Sequence, residues 1–184
     1  MFRDLVETIT AEIRLALHDV SDEQVGGLVG LILGARRIVV HGAGRVGLAC
    51  RGFAMRLGHV GRSVFTVADS TIPPLGKGDI LIVGSSSGET QTVYDVAVLG
   101  KRTGAHLVVI TAKQDSRLGK LADVLILLNA PTKFGPTEGR TSIQPMASLF
   151  EQSLQIFFDA LVLQLMKATN QTHADLWARH SNLD

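Results

Sequence analysis

The sequence contains little cysteine, few aromatic residues and almost no excess charge, and each shortage excludes a class of protein. Cys50 is the only cysteine among 184 residues, which excludes an intrachain disulfide, a redox pair and a thiolate metal cluster. Eighteen basic and seventeen acidic side chains leave a formal charge of +1, so there is no electrostatic footprint for nucleic acid or an anionic membrane. We expect neither as a partner, and the lone thiol suits a reducing cytoplasm.

Long hydrophobic runs are missing as well. Charges or glycines interrupt every apolar stretch well before the roughly 20 residues that a membrane span requires, so no span is expected. A hydrophobic content of 46%, with only 5% aromatic residues, predicts instead a single folded domain with an aliphatic core.

Hydrophobic periodicity predicts the fold class. Residues 1–35 carry apolar side chains at helical spacing with a turn at Asp19–Asp22, which predicts two helices. Residues 36–128 contain five short apolar runs, most of them separated by enough chain for a crossover helix: Arg37–Val40, Ser63–Val67, Asp79–Val83, Leu107–Ile110 and Asp123–Leu127. Continuous apolar runs are typical of strands covered on both faces. The pattern predicts an α/β fold in which a five-stranded, parallel, doubly wound sheet is the middle of three α/β/α layers.

The rest of the chain divides into three segments. Residues 129–142 have no periodicity and contain two prolines and two glycines, which predicts a loop and a candidate mobile lid. Residues 143–168 hold the longest helical pattern, whose apolar face is too broad for one packing partner. Residues 172–184 form a tail whose short helix needs a surface to pack on. We therefore expect an oligomer, and a tetramer in particular.

A first glycine-rich motif, Gly42-Ala43-Gly44-Arg45-Val46-Gly47, follows the first predicted strand and opens a helix. It satisfies the G-x-G-x-x-G pattern of dinucleotide-binding sites, which would suit an NAD-dependent oxidoreductase. Such a site also requires an acidic residue about 20 positions later, and Asp69 matches this spacing only in part. A simple tight turn between strand and helix is the alternative.

A second motif, Gly84-Ser85-Ser86-Ser87-Gly88-Glu89-Thr90, lies between the third strand and the next helix. Hydroxyl groups and free N–H groups at a helix N-terminus, together with the helix dipole, make a phosphate cradle without lysine. An ordinary N-cap is the alternative, but a cap uses one hydroxyl and this loop offers four. Because both motifs follow parallel strands, we expect them to share one ligand.

These motifs resemble the sugar isomerase (SIS) domain family and, within it, the 6-phospho-3-hexuloisomerases of the ribulose monophosphate pathway. The resemblance covers nearly the whole chain and rests on five segments: Gly42–Arg45, Phe53–His59, Ser85–Thr90, Ser142–Gln152 and Arg179–Asp184. It implies a cytoplasmic homotetramer that interconverts 3-hexulose 6-phosphate and fructose 6-phosphate without metal or cofactor. The chain departs from the family at Val46, where relatives usually have a serine whose hydroxyl faces the sugar.

The chemistry of the reaction and the family resemblance together predict the site residues. Moving a carbonyl from C3 to C2 needs a base for the C2 proton and donors that stabilise a 2,3-enediolate. Glu151 is the candidate base, because helical spacing places it on the flank of an apolar face; a structural ion pair with an arginine such as Arg45 is the alternative. His59 and His180 match family positions and are candidate acids, and the tail carrying His180 is expected to complete a neighbouring subunit's site. The residues expected to bind substrate or phosphate are Gly44, Arg45, Ser85, Ser86, Ser87, Glu89, Thr90 and Gln144.

Two further hypotheses stay open beside this isomerase. A non-catalytic sugar-phosphate sensor would use the same domain and would not need Glu151. Regulators of this kind normally carry a DNA-binding domain, for which the chain has little room. An isomerase of another phosphosugar is compatible with the same phosphate loop.

Overall fold

The computed structural model describes residues 1–135 and 139–183. Its helices are α1 (Phe2–Leu17), α2 (Asp22–Gly34), α3 (Gly44–His59), α4 (Gln91–Arg102), α5 (Arg117–Leu121), α6 (Ser148–Ala168) and α7 (His173–Trp177). Its strands are β1 (Ile38–Gly42), β2 (Val64–Thr66), β3 (Ile80–Gly84), β4 (His106–Thr111) and β5 (Val124–Leu127). The five predicted strands and the two helices predicted before them are all confirmed.

The five strands form one parallel sheet in the order β2-β1-β3-β4-β5. From β1 the chain runs through α3 to β2 at one edge, then returns to β3 and builds toward the other edge. Strands β1 and β3 are therefore neighbours, and Gly42 pairs with Gly84 at their carboxyl ends. The loops that follow these two strands diverge at a topological switch point, where open α/β sheets bind their ligands.

The sheet separates two apolar cores, because successive strand residues point to opposite faces. Ile38, Val40 and Ile82 belong to a core shared with α1, α2, α3 and α6. Val39 and Leu81 belong to a smaller core shared with α4 and α5. Burial on both faces accounts for the continuous apolar runs in the sequence and confirms the predicted three-layer fold class.

The long helix α6 begins later than the apolar pattern predicts. Met146 has a φ of 60°, in the left-handed region, and Ala147 is the N-cap. Helices α1, α2 and α3 of the same chain pack against α6, so the breadth of its apolar face does not by itself require an oligomer. No helix within the described residues is long and apolar enough to cross a membrane.

The segment 129–142 contains no helix or strand in its described part, which agrees with the predicted loop. An antiparallel bridge joins Thr132 to Gly135. Residues 136–138 lie outside the described residues. A lid function for this segment stays a prediction.

Candidate active site

A cavity of about 220 Å³ opens at the carboxyl ends of β1 and β3, and we call it the β1–β3 cavity. Its lining comes from Ala43–Val46 after β1, Gly84–Ser87 with Thr90 after β3, Ala147 with Glu151 at the start of α6, and Lys133. Both glycine-rich motifs thus contribute to one cavity, as their positions after neighbouring parallel strands predict.

Three helices begin at the β1–β3 cavity without a side-chain cap. Their N-cap residues, Ala43 for α3, Thr90 for α4 and Ala147 for α6, all line it. By contrast, a side-chain oxygen caps each of α2, α5 and α7. The first N–H groups of a helix have no partner within the helix, and the helix dipole adds positive potential there. The cavity is therefore suited to an anion.

The hydroxyl groups of the serine loop (Ser85–Thr90) do not cap α4. Ser85 Oγ and Thr90 Oγ1 lie 3.2 Å apart, at hydrogen-bond distance. Ser87 Oγ accepts a hydrogen bond from the backbone N–H of Glu89 at 3.2 Å. Ser86 Oγ is buried and has no hydrogen-bond partner among the described residues. The interpretation of the loop as a simple N-cap is therefore not supported, and Ser86 keeps a donor that a bound oxyanion would use.

A close approach to the start of α5 fixes the serine loop. Gly88 has a φ of 65°, and a Cβ atom there would lie 2.0 Å from Ser116 Oγ. Glu89, a predicted substrate ligand, instead accepts hydrogen bonds from the N–H and Nε of Arg117 at 2.9 and 2.8 Å. These bonds, from the backbone N–H and then the guanidinium, lower the pKa of the Glu89 carboxyl. Glu89 supports the loop and does not line the β1–β3 cavity.

Glu151 lies in the first turn of α6 and lines the cavity. Its side chain is 16% exposed, and Oε2 lies 2.9 Å from Arg45 Nη1. The same nitrogen donates to Ser148 Oγ at 3.0 Å, whereas Glu151 Oε2 accepts no well-aligned hydrogen bond from the described residues. The ion pair that was the alternative for Glu151 is thus present, but both partners line the cavity. The carboxylate keeps hydrogen-bonding capacity for a substrate.

Val46, the position at which the family resemblance implies a serine, lines the β1–β3 cavity. Its Cγ1 would lie 3.1 Å from a Cβ atom at Gly42 and 3.0 Å from one at Gly84, so the valine fills the space beside both strand ends. Cys50 packs against the same glycines and donates to the His41 carbonyl at 3.3 Å. Burial raises the pKa of the Cys50 thiol to about 12. Cys50 is a packing residue.

His59 and His180 come together, but at a different cavity. Their ring centroids lie 5.2 Å apart, and Trp177 stacks on His180 at 5.1 Å. They line a cavity of about 460 Å³ between α7 and the C-terminal parts of α3 and α6, which we call the histidine cavity. Along the axis of α3, His59 is roughly 22 Å from Gly44. Within one chain, therefore, these histidines do not meet Glu151.

Metal ligands are not grouped in the part of the chain that the structure describes. No three His, Cys, Asp or Glu side chains lie close enough there to hold an ion.

Gln144, a predicted substrate ligand, also lies outside the β1–β3 cavity lining. Its Nε2 donates to Glu12 Oε2 at 3.0 Å. Ser142 Oγ and the Ile143 N–H donate to the same carboxylate at 2.6 and 2.9 Å. Burial opposes ionisation of Glu12, but these hydrogen bonds outweigh it and lower the pKa of the carboxyl. Gln144 therefore fastens the chain before α6 to α1.

Lys133 lines the cavity although sequence reasoning did not select it. It follows β5 and lies outside both glycine-rich motifs. Its position could be inferred from the sheet topology. Because all strands are parallel, the loop after β5 leaves the sheet at the carboxyl ends of the strands, as the loops after β1 and β3 do.

Comparison with known proteins identifies the family, because the family model of the SIS domain matches residues 31–167. The chain belongs to the SIS domain family. This SIS domain is 37% identical over 178 residues to the 3-hexulose-6-phosphate isomerase of Bacillus subtilis, covering 95% of this chain and 96% of that protein. It is also 37% identical over 185 residues to the protein of the same name from Mycobacterium gastri, covering 97% and 92%.

A solved structure from Methanococcus jannaschii, from which a 3-hexulose-6-phosphate isomerase function was inferred, has the same fold. It superposes with a TM-score of 0.86 at 28% identity, covering 98% of this chain and 99% of that one. The fold class and the family resemblance are therefore both confirmed.

The surroundings of Asp69 bear on the dinucleotide interpretation of the first glycine motif. The Asp69 carboxylate accepts a hydrogen bond from the Thr66 N–H at 2.8 Å, within its own turn. It does not line the β1–β3 cavity. Asp69 therefore does not supply the acidic ligand that a dinucleotide-binding site requires, and the glycines form the tight turn from β1 into α3.

Proposed function

We propose that this SIS domain is an isomerase that interconverts 3-hexulose 6-phosphate and fructose 6-phosphate in the ribulose monophosphate pathway. Curated relatives named 3-hexulose-6-phosphate isomerase, at 31% to 37% identity over most of the chain, support this activity. The observation that carries the proposal is the composition of the β1–β3 cavity. Three uncapped helix N-termini and a hydroxyl-rich loop lie beside a largely buried carboxylate, which suits a phosphorylated sugar next to a base.

The phosphate group binds at the serine loop in this proposal. Hydroxyls of Ser85, Ser86, Ser87 and Thr90 donate to its oxygens, and the N-terminus of α4 adds N–H groups and positive potential. The sugar then extends from the serine loop toward Arg45 and Glu151, which line the same cavity.

Glu151 is the proposed base. In 3-hexulose 6-phosphate the carbonyl is at C3, and Glu151 removes the proton from C2. The electron pair of that C–H bond forms the double bond of a 2,3-enediolate, and the electrons of the carbonyl double bond move to O3. Arg45, whose Nη1 lies 2.9 Å from Glu151 Oε2, stabilises the resulting negative charge. The proton returns to C3, a hydroxyl proton passes from O2 to O3, and fructose 6-phosphate results. No oxidant or reductant is consumed.

The candidate acids reach this site from another subunit in our proposal. Apolar side chains of α3, α6 and α7 form an exposed surface beside both cavities, with Leu48 and Ile156 near Glu151 and with Leu163 and Trp177 beside the histidines. All four side chains are exposed, Trp177 to 66%. Packing this surface against a second copy places the His180 of one chain near the Glu151 of the other. We propose a cytoplasmic homotetramer built on this contact.

Subunit sharing has a direct test. Glu151→Gln and His180→Ala are coexpressed, and fructose 6-phosphate turnover by the mixed oligomer is compared with that of each variant alone. Sites that combine an intact Glu151 with a partner's intact His180 should give more activity than the sum of the two variants. Strictly additive activity, or a monomeric mass by light scattering at micromolar concentration, would contradict a shared site.

The activity itself is tested by supplying 3-hexulose 6-phosphate, made in situ from ribulose 5-phosphate and formaldehyde. Fructose 6-phosphate should accumulate only when the chain is present. Binding of fructose 6-phosphate without turnover of either sugar would contradict the isomerase and favour a sugar-phosphate sensor.

A further inference from the structure

Some of the charged side chains in and around the β1–β3 cavity form ion pairs, and one that lines it does not. Arg45 lies 2.9 Å from Glu151 and is occupied by that carboxylate. The only charged residue of the serine loop is Glu89, which is paired with Arg117. Lys133 is the remaining cation in the cavity lining, and no ion pair within residues 1–135 and 139–183 engages it. Its ammonium group lies over the ring of the neighbouring Phe134, 5.0 Å from the centroid, and this exposed contact leaves its hydrogen-bond donors available.

A hydrogen-bonded turn presents Lys133. The N–H of Thr132 donates to the carbonyl of Gly135, and the N–H of Gly135 donates to that of Thr132, both at 3.0 Å. The Phe134 N–H donates to Thr132 Oγ1 at 3.2 Å. Lys133 and Phe134 are therefore the central residues of a turn whose backbone is fixed, and Lys133 lines the cavity from it.

The chain leading into this turn is anchored to the body of the protein. The N–H of Leu128 donates to the Thr111 carbonyl at 3.0 Å and extends the β4–β5 pairing. The N–H of Asn129 donates to the Ala16 carbonyl at 2.9 Å, which ties the segment to α1. Thr132 itself is only 5% exposed. Such anchoring reduces the entropy lost when a side chain from the turn closes on a ligand.

We propose that Lys133 binds the phosphate group of the substrate and supplies the full positive charge that the serine loop lacks. A phosphate monoester carries a charge of about −1.5 to −2 at pH 7. Each helix N-terminus contributes only about half an elementary charge, and hydroxyl groups contribute none. Arg45 is already engaged beside Glu151, so phosphate is the group left for Lys133. This inference rests on the proposed function for the identity of the sugar, but not for the phosphate.

The test compares Lys133→Met, Lys133→Arg and a matched control, Lys77→Met. Lys77 is also exposed but precedes β3, so it lies at the amino ends of the strands, whereas the cavity lies at their carboxyl ends. Lys133→Met should raise the Kd of fructose 6-phosphate and of inorganic phosphate at least about tenfold, because a charge-assisted hydrogen bond is lost. It should raise KM by a similar factor and leave kcat within about threefold. Lys133→Arg should restore most of the affinity, and Lys77→Met should change nothing.

The possible results separate this inference from the proposed function. Wild-type affinity for inorganic phosphate in Lys133→Met overturns the inference, and so does a fall in kcat with phosphate affinity unchanged, because the lysine then acts on the sugar. A wild-type chain that binds fructose 6-phosphate in a Lys133-dependent way but does not isomerise it supports the inference and overturns the proposed function.

Discussion

Replacing Gly88 by alanine should destabilise the protein and displace the serine loop. Two effects add at this position. A left-handed φ of 65° costs an alanine about 1–2 kcal/mol. The new Cβ atom would also lie 2.0 Å from Ser116 Oγ, and relieving such an overlap in a packed region typically costs about 1–3 kcal/mol. We expect Gly88→Ala to lower the free energy of unfolding by about 2–5 kcal/mol in total.

Gly78→Ala is the matched control for backbone strain. Gly78 has a φ of 85°, but a Cβ atom there would meet nothing within 4 Å. This variant should lose only the strain contribution of about 1–2 kcal/mol. The difference between the two variants therefore isolates the contact with Ser116.

The steric overlap in Gly88→Ala should also weaken ligand binding. Ser116 is the N-cap of α5 and donates its hydroxyl to the Lys113 carbonyl at 2.7 Å, so it has little freedom to withdraw. The serine loop must move instead, and the Kd of fructose 6-phosphate should rise in Gly88→Ala only. Urea unfolding at equal protomer concentration, followed by circular dichroism, measures the stability. A Gly88→Ala variant as stable as Gly78→Ala, with unchanged Kd, would refute the close approach as the support of the loop.

Three further predictions concern the phosphate, acid stability and ring opening. Replacing both Ser87 and Thr90 by alanine should raise the Kd of fructose 6-phosphate at least about tenfold by calorimetry, and unchanged affinity would move the phosphate elsewhere. Two hydrogen bonds from Arg36, each 3.0 Å long, are the chief cause of the lowered pKa of the buried Asp79 carboxyl. The stability they add is present above the unfolded pKa of about 3.9 and is lost as the pH falls through the folded value. Asp79→Asn should therefore lose about 1–3 kcal/mol at pH 7 and show a shallower decline in acid than the wild type; an equally steep decline would contradict the pairing. His180→Ala should lower kcat more in the reverse direction than in the forward one, because fructose 6-phosphate closes a furanose ring that must open, whereas the C6 hydroxyl of the 3-keto sugar is esterified; an equal fall in kcat in both directions would remove that role.

Sequence reasoning recovers the sheet and the cavity because both depend on local patterns. Strands buried on both faces appear as continuous apolar runs, and parallel strands bring their following loops to one edge. Gly42 and Gly84, which end neighbouring strands, mark that edge in the sequence. The hydrophobic pattern predicts the start of α6 too early, because the left-handed φ of Met146 leaves no trace in it.

The supporting roles of Glu89 and Gln144 could not be predicted, because their hydrogen-bond partners are remote in sequence. Glu89 is held by Arg117, 28 residues away, and Gln144 by Glu12, 132 residues away. No spacing rule reveals such pairs. The position of His59 was predictable in principle, since a helix that begins at the cavity carries its last residue roughly 22 Å from it.

Proton transfer by Glu151 is measured most directly by hydrogen exchange at C3 of fructose 6-phosphate in heavy water, followed by NMR. Removal of that proton forms the same enediolate from the reverse direction, so the wild-type enzyme should replace it with deuterium. Glu151→Gln should reduce both exchange and isomerisation at least about a hundredfold, while the Kd of fructose 6-phosphate stays within about threefold of the wild type. Substantial exchange by Glu151→Gln would show that another group is the base, and that the start of α6 is not the catalytic element.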